Sequence, residues 1–371
     1  MKMTRVILLL AAAAACSQDQ DPSRQFPLSP SLDKGSNTVG QVYTMTNSAA
    51  GNSVLAYDRS ADGSLSPAGS FATGGTGTGA GLGNAGGVVL SGQWLAVVNA
   101  GSNEVSLFSV AGDGSLQLTD RVSSGGTTPK SVTFSQNLLY VLNAGGSGNI
   151  TGFTISSSGD LTSIPGSTQP LSSGASDPAQ ISFAPGGGLL VVTEKATNVI
   201  RTFPVNGGVA GPGVNTPSSG AVPFGFGFDQ KGTLIVSEAP ASAVSSYDAA
   251  GSTWNVISPS VLTTEAAACW IAVTNSGRYA YSANTASGTI SGFSIHQGGL
   301  SLLDANGVTG NVGAGTAPAD MALSRNSEFL YVRAGGTNQI AIFSVGGDGS
   351  LTSLGGSISG LPPSFNGLAA R

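Results

Sequence analysis

The chain has 371 residues, of which 14 are basic and 19 acidic, and its net charge of −5 includes no basic block, which excludes a nucleic-acid-binding surface. Only 9% of its residues are charged, against roughly 25% in an average soluble domain, so Ser, Thr, Asn, Gln and backbone must cover most of the surface. One histidine and two cysteines are too few for a His/Cys metal cluster.

Residues 1–15, MKMTRVILLLAAAAA, read as an export signal and are set aside from the fold. Lys2 and Arg5 make the positive start, Val6–Ala15 is an apolar run too short to span a bilayer as a mature helix, and small residues precede Cys16. The AAAC sequence resembles a bacterial lipoprotein box, which implies lipidation of Cys16. Ser17, rather than Asp, after that Cys implies an outer-membrane anchor facing the periplasm. The lipid is then the only expected contact with the membrane. Residues 16–40 are polar and without pattern, and are expected to form a flexible tether. With Cys16 lipidated, Cys269 is left without a partner and reads as a small core residue.

From residue 41 to 371 one unit recurs. The stretch Leu139–Phe153, LYVLNAGGSGNITGF, is a hairpin of two β-type runs around an Asn/Gly/Ser turn. Its register, a β-branched residue followed three later by an aromatic, returns at Val54/Tyr57, Val105/Phe108, Ile150/Phe153, Ile200/Phe203, Val244/Tyr247, Ile290/Phe293 and Ile340/Phe343. The aromatics lie about 44 to 51 residues apart, the beat of a propeller rather than of a helical repeat. Each unit resolves into four strands. The first is often opened by Pro, as at Pro129, Pro178, Pro223 and Pro318, and the second ends in a polar residue, as in LLYVLN and LLVVTE. The third carries the aromatic, and the fourth follows a turn such as Asp113-Gly114 or Asp348-Gly349. No stretch holds a helical period. The expected fold is all-β: a seven-bladed β-propeller of four-stranded antiparallel blades.

The first unit lacks a first strand, and the chain ends on Phe365–Ala370, a first strand with nothing after it. The C-terminal strand is therefore expected to complete blade one, joining the termini and removing a sheet edge.

In such a blade the start of the first strand and the end of the second lie at the same face. The second strands end at Asn47, Asn99, Asn143, Glu194, Glu238, Asn284 and Ala334, and Lys130, Gln180, Phe224, Trp270, Asp320 and Asn366 stand near the starts of first strands. Asn at a strand end is good turn chemistry and needs no ligand. Glu194 and Glu238 break that pattern in adjacent blades, and two close carboxylates in a narrow mouth would form an acid/base pair. They are the expected catalytic residues. Lys130, Asn143, Gln180, Lys195, Trp270, Asn284, Asp320 and Arg333 are the expected substrate contacts at the same mouth. His296 falls at the opposite face, which argues against a His base, and no G-x-S-x-G elbow exists. No metal and no cofactor are expected. Gly81-x-Gly83-x-x-Gly86 matches a dinucleotide fingerprint as a string but precedes a strand within a Gly-rich loop, so it is discarded.

The phrases LLYVLNAGGSGNITGF, DPAQISFAPGGGLLVVTEKATNVIRTF and APADMALSRNSEFLYV resemble the seven-bladed β-propeller lactonase family, which includes 6-phosphogluconolactonase and 3-carboxymuconate cyclase-like proteins. The likeness runs from Val42 to Arg371. It implies hydrolysis or formation of lactones at the channel mouth, with Glu194 and Glu238 as acid and base and Lys130 or Arg333 gripping an acidic substrate. The missing mouth histidine and the export signal depart from a cytoplasmic sugar-phosphate enzyme. Two expectations follow: an envelope enzyme, monomeric, acting on lactones of sugar acids or related acids; or a non-catalytic, lipid-anchored propeller that binds an envelope protein.

Overall fold

A computed structural model describes residues 38–371; the signal segment, Cys16 and residues 16–37 of the tether lie outside the described residues. Seven antiparallel sheets follow one another around a ring. Each first strand touches the first strands of both neighbouring blades, so the seven line a central axis. Among the described residues the one helical element is a 3-10 turn at Gly335–Thr337, and no helix is long and apolar enough to cross a membrane.

Blade one consists of Thr38–Met45, Ser53–Ser60 and Leu65–Ala72, with Asn366–Ala370 as its innermost strand. The expected closure is therefore present: Val42 pairs with Ala370, Tyr43 with Ala369 and Met45 with Asn366. The Thr44 hydroxyl donates to the Gly367 carbonyl at 2.6 Å, and Arg371 donates from Nε to Gln41 Oε1 at 2.5 Å. Blades two to seven each run in order from the axis outward. Their first strands are Val88–Ser91, Pro129–Ser135, Pro178–Phe183, Pro223–Phe228, Ala268–Val273 and Pro318–Leu323.

The aromatic register makes the core. Tyr57, Phe108, Phe153, Phe203, Tyr247, Phe293 and Phe343 are all buried, each opposite an apolar residue of the second strand, as Phe108 faces Leu95 and Phe343 faces Leu330. Because side chains alternate along a strand, fixing this one position fixes which face of every blade meets its neighbour. The fourth strands are the edges, and they carry the exposed residues Leu118, Val256, Ile257, Leu262 and Leu354.

A second repeated device joins blade to blade on the face opposite the Asn turns. Buried tyrosines of the second strands reach the outer turn of the next blade: Tyr43 OH donates to Gly114 O at 2.9 Å, Tyr281 to Gly349 O at 2.9 Å and Tyr331 to Gly63 O at 3.0 Å. The last of these spans the junction of blades seven and one. His296 ends the third strand of blade six on that same face and is exposed.

Cys269 is fully buried in the first strand of blade six. It is not a free thiol, so the expectation that it stands without a partner is corrected.

Candidate functional site at the channel mouth

The backbone at the mouth is strained in register. Thr128, Asp177, Val222, Ala267 and Ala317, each immediately before a first strand, have φ of 51°, 43°, 55°, 60° and 46°. Four of them precede proline, which further disfavours helical geometry, and Val222 is β-branched, so the left-handed conformation is costly there. Their carbonyls accept hydrogen bonds from the turn after the second strand, as Ala144 N donates to Thr128 O and Lys195 N to Asp177 O. Just inside, the pairing register of the first strands shifts, between Pro129 and Ser131, Pro178 and Gln180, and Pro318 and Met321. Such bulges turn a side chain away from its ladder position, and they fall at Lys130 and Asp320.

The two glutamates are fully buried, and their carboxylates are taken up by neighbouring loops and strands. Glu194 accepts from Ser172 N at 3.0 Å, from the Ser172 hydroxyl and from Thr197 Oγ1 at 2.9 Å. Glu238 accepts from Gly220 N at 2.8 Å, Ser245 Oγ at 2.5 Å and Ser260 Oγ at 2.6 Å. The asparagines at matching positions do the same with shorter reach: Asn143 Nδ2 donates to Ser124 O and Asn149 Oδ1, and Asn284 Nδ2 to Thr289 Oγ1 and Ser291 Oγ. Gln180 is likewise engaged through both ends of its amide, with Phe226 N and O of the next blade.

Charge gathers at two other places. On the side of blades three and four, Asp177 joins two lysines: Oδ1 lies 3.2 Å from Lys130 Nζ and Oδ2 lies 3.0 Å from Lys195 Nζ. The lysine side chains are only 15% and 12% exposed, against 53% for Asp177, so one excess positive charge is held largely out of water. Burial would raise Asp177, but the two ammonium groups together hold it below the usual carboxylate range. Burial, and then the charge of Lys130, push Lys195 below an ordinary lysine. The Lys195 ammonium also lies 4.9 Å from the centre of the Phe224 ring, which packs on Trp270 with centroids 4.7 Å apart.

Across the axis, in blade seven, stand Asp320 and Arg333. Desolvation raises the Asp320 carboxyl to about 7, against the opposing pull of the amides of Met321, Gly86 and Leu368 and of the Arg333 charge. Desolvation likewise lowers Arg333 to about 10. Both residues nevertheless keep part of their surface open to solvent. That combination is the mark of a narrow channel, where protein surrounds a group that water still touches. Arg333 Nε donates to Phe365 O at 2.6 Å and its guanidinium covers the Phe365 ring at 4.7 Å.

Between these two groups runs the segment Gly81–Gly87, part of the link 73–87 from blade one to blade two. Gly83 O accepts from Lys195 Nζ at 3.2 Å and Asn84 O from Trp270 Nε1 at 2.8 Å. Asn84 Nδ2 donates to Lys130 O, Ala85 N to Ala179 O at 3.1 Å, and Gly86 O accepts from Val132 N at 2.9 Å. The Gly86 amide faces Asp320. One short segment thus touches blades three, four, six and seven and crosses the mouth. Its glycines, discarded above as a nucleotide fingerprint, are needed for a different reason: at Gly86 φ is 73° and an added Cβ would meet Ser131 Oγ at 2.8 Å.

Sequence reasoning brought Lys130, Lys195, Trp270, Asp320 and Arg333 to one face, where they line the mouth with this segment between them. It missed Asp177 and Asn84. The length of the link 73–87, compared with 124–128 or 218–222 between other blades, was the available sign that this connection does more than connect.

The profile of the family described as Lactonase, 7-bladed beta-propeller matches residues 36–172 and 244–366. The unmatched span holds most of blades four and five, with Lys195, Glu194 and Glu238. No relative among curated proteins matched the chain. Among solved structures, a candidate 6-phosphogluconolactonase from Bacteroides uniformis aligns at 17% identity with a TM-score of 0.70, over 89% of this chain and 99% of its own. A protein from Lactobacillus plantarum aligns at 15% identity and a TM-score of 0.71, over 90% and 99%. The periplasmic gluconolactonase of Pseudomonas aeruginosa aligns at 16% and 0.65, over 88% and 98%. At such identities the structural likeness carries the fold, and the profile carries the family. The chain belongs to the seven-bladed β-propeller lactonase family.

Proposed function

We propose that this protein is an exported lactonase that hydrolyses lactones of sugar acids or related acids at the channel mouth. The observation that carries the reading is Asp320, a carboxyl raised to about 7 beside Arg333 in a channel that water reaches. A base with a pKa near the working pH is suited to proton transfer. In this mechanism Asp320 takes a proton from water as its oxygen bonds to the lactone carbonyl carbon. Arg333 and Lys195 supply positive charge for the oxyanion. The ring C–O bond then breaks, the ring oxygen recovers the proton from Asp320, and a hydroxy acid leaves.

The carboxylates of Glu194 and Glu238, expected as the catalytic pair, have a positioning role in this proposal. Glu194 holds the loop that leads to Asp177, and Glu238 the one that leads to Val222. Left-handed backbone that recurs at the loop ends before the first strands of blades three to seven supports a functional mouth, since such conformations persist where the surroundings hold them. The N-terminal residues described above support export, and the Pseudomonas neighbour is named as periplasmic. No cofactor is invoked.

The soluble part should be assayed against neutral and acidic lactones. Asp320→Asn should lower kcat/KM by about 10²-fold or more, and wild-type kcat/KM should rise with pH through about 7. Equal turnover by the variant at all pH values would sink the assignment. A second reading, a non-catalytic binding propeller, is favoured by the segment that fills the mouth together with Phe224 and Trp270. It predicts no turnover of any lactone and recovery of a specific partner from envelope extracts.

A further inference from the structure

We propose that Gly81–Gly87 is a movable gate, seated on the channel-mouth groups in the resting protein and lifted when a ligand enters. The inference rests on the preceding reading only where turnover is measured.

Three observations converge on it. First, while seated, the backbone of the segment occupies the groups a polar ligand would use. Gly83 O sits on the Lys195 ammonium, Asn84 O on the Trp270 indole N–H, and the Gly86 amide on Asp320. Its position is that of a ligand made from the chain itself.

Second, the segment is held by individual hydrogen bonds and not by a strand ladder or a broad apolar face. It is coil, not strand. Its apolar contribution to the interior is Leu82 and the Ala85 methyl. Its glycines regain more conformational freedom on release than any other residue type would.

Third, two buried polar atoms that meet at the seated segment are unpaired. Asn84 Oδ1 and Asn366 Oδ1 have no hydrogen-bond partner, although the two residues are only 2% and 5% exposed. Their side chains converge: a Cβ placed on Gly87 would lie 3.0 Å from both Asn366 Oδ1 and Asn84 Nδ2. An unpaired buried acceptor opposes the closed state, and lifting the segment gives both oxygens access to water or to ligand hydroxyls. Local opening is expected where few apolar contacts oppose such costs.

Hydrogen exchange by mass spectrometry on the whole protein tests the gate without a substrate. Peptides covering residues 81–87 should exchange at least tenfold faster than those covering Trp94–Asn99 or Leu138–Asn143. Gly86→Ala, whose Cβ would press on Ser131, should accelerate the 81–87 peptides a further tenfold and leave the blade strands unchanged. Protection of 81–87 equal to that of those strands, in wild type and variant alike, would overturn the proposal. In a second arm, Ala85→Cys with Ala179→Cys locks the seated segment through the pair of residues already joined by a backbone hydrogen bond. Oxidation should abolish lactone turnover and reductant restore it, with wild type unaffected by either; turnover unchanged by the lock would refute gating. Should wild type turn over no lactone, the enzymatic reading fails and the exchange arm still decides the gate.

Discussion

Asp320 offers the sharpest quantitative test of the mouth, because its environment ties stability to pH. In the unfolded chain this carboxyl loses its proton near 3.8, and in the folded protein it keeps it to about 7. Between those values the folded state binds more protons than the unfolded one, so stability falls as pH rises. The contribution is fully present below about pH 3.8 and lost as pH passes 7. A shift of this size corresponds to about 4 kcal/mol at most, and partial contact with water reduces the expected effect to about 2–4 kcal/mol. Asn at this position cannot ionise. Asp320→Asn should therefore match wild type to within about 1 kcal/mol near pH 4.5, and exceed it by about 2–4 kcal/mol at pH 8.5, above the folded-state pKa. Urea unfolding followed by tryptophan fluorescence, at fixed ionic strength and several pH values, measures the difference. A difference that stays flat across this range would show an ordinary carboxyl at Asp320 and remove the basis for its role as a base.

Glu238→Gln replaces one acceptor oxygen with an amide that faces either the Gly220 amide and the Ser245 hydroxyl or the Ser260 hydroxyl. It should lower stability by about 1–3 kcal/mol while leaving turnover per folded molecule unchanged; lost turnover at an unchanged melting temperature would return Glu238 to the chemistry. Tyr331→Phe removes the hydroxyl that joins blade seven to Gly63 of blade one, and should cost about 1–2 kcal/mol in chemical denaturation. Deleting Pro362–Arg371 removes the innermost strand of blade one and exposes the edge of Thr38–Met45. The truncated chain should lose cooperative melting by circular dichroism, and an unchanged melt would refute closure through this strand.

The fold was legible because it is written locally and repeatedly. A blade is decided within fifty residues by alternation along each strand and by one aromatic in the third, and seven copies leave only a ring. Even the closure was legible, since a missing first strand and a surplus one can be counted. The site was legible only as a face. Strand order says which residues reach the mouth; it does not say which atoms a side chain meets there. Glu194 and Glu238 stood out because they break the repeat, and tertiary structure gave their carboxylates serine, threonine and glycine partners on neighbouring loops and strands. Asp320 was one name among several at the mouth. Its raised pKa comes from desolvation, which outweighs the amides of Met321, Gly86 and Leu368 and the Arg333 charge, groups drawn from blade seven, the closing strand and the loop that leaves blade one. The same holds for Gly81–Gly87, whose partners Lys195 and Trp270 lie more than a hundred residues away along the chain. Local pattern and composition determined the propeller, its register and its closure. Which groups face one another across the channel was decided only by folding, because ring geometry brings together residues that share no sequence neighbourhood.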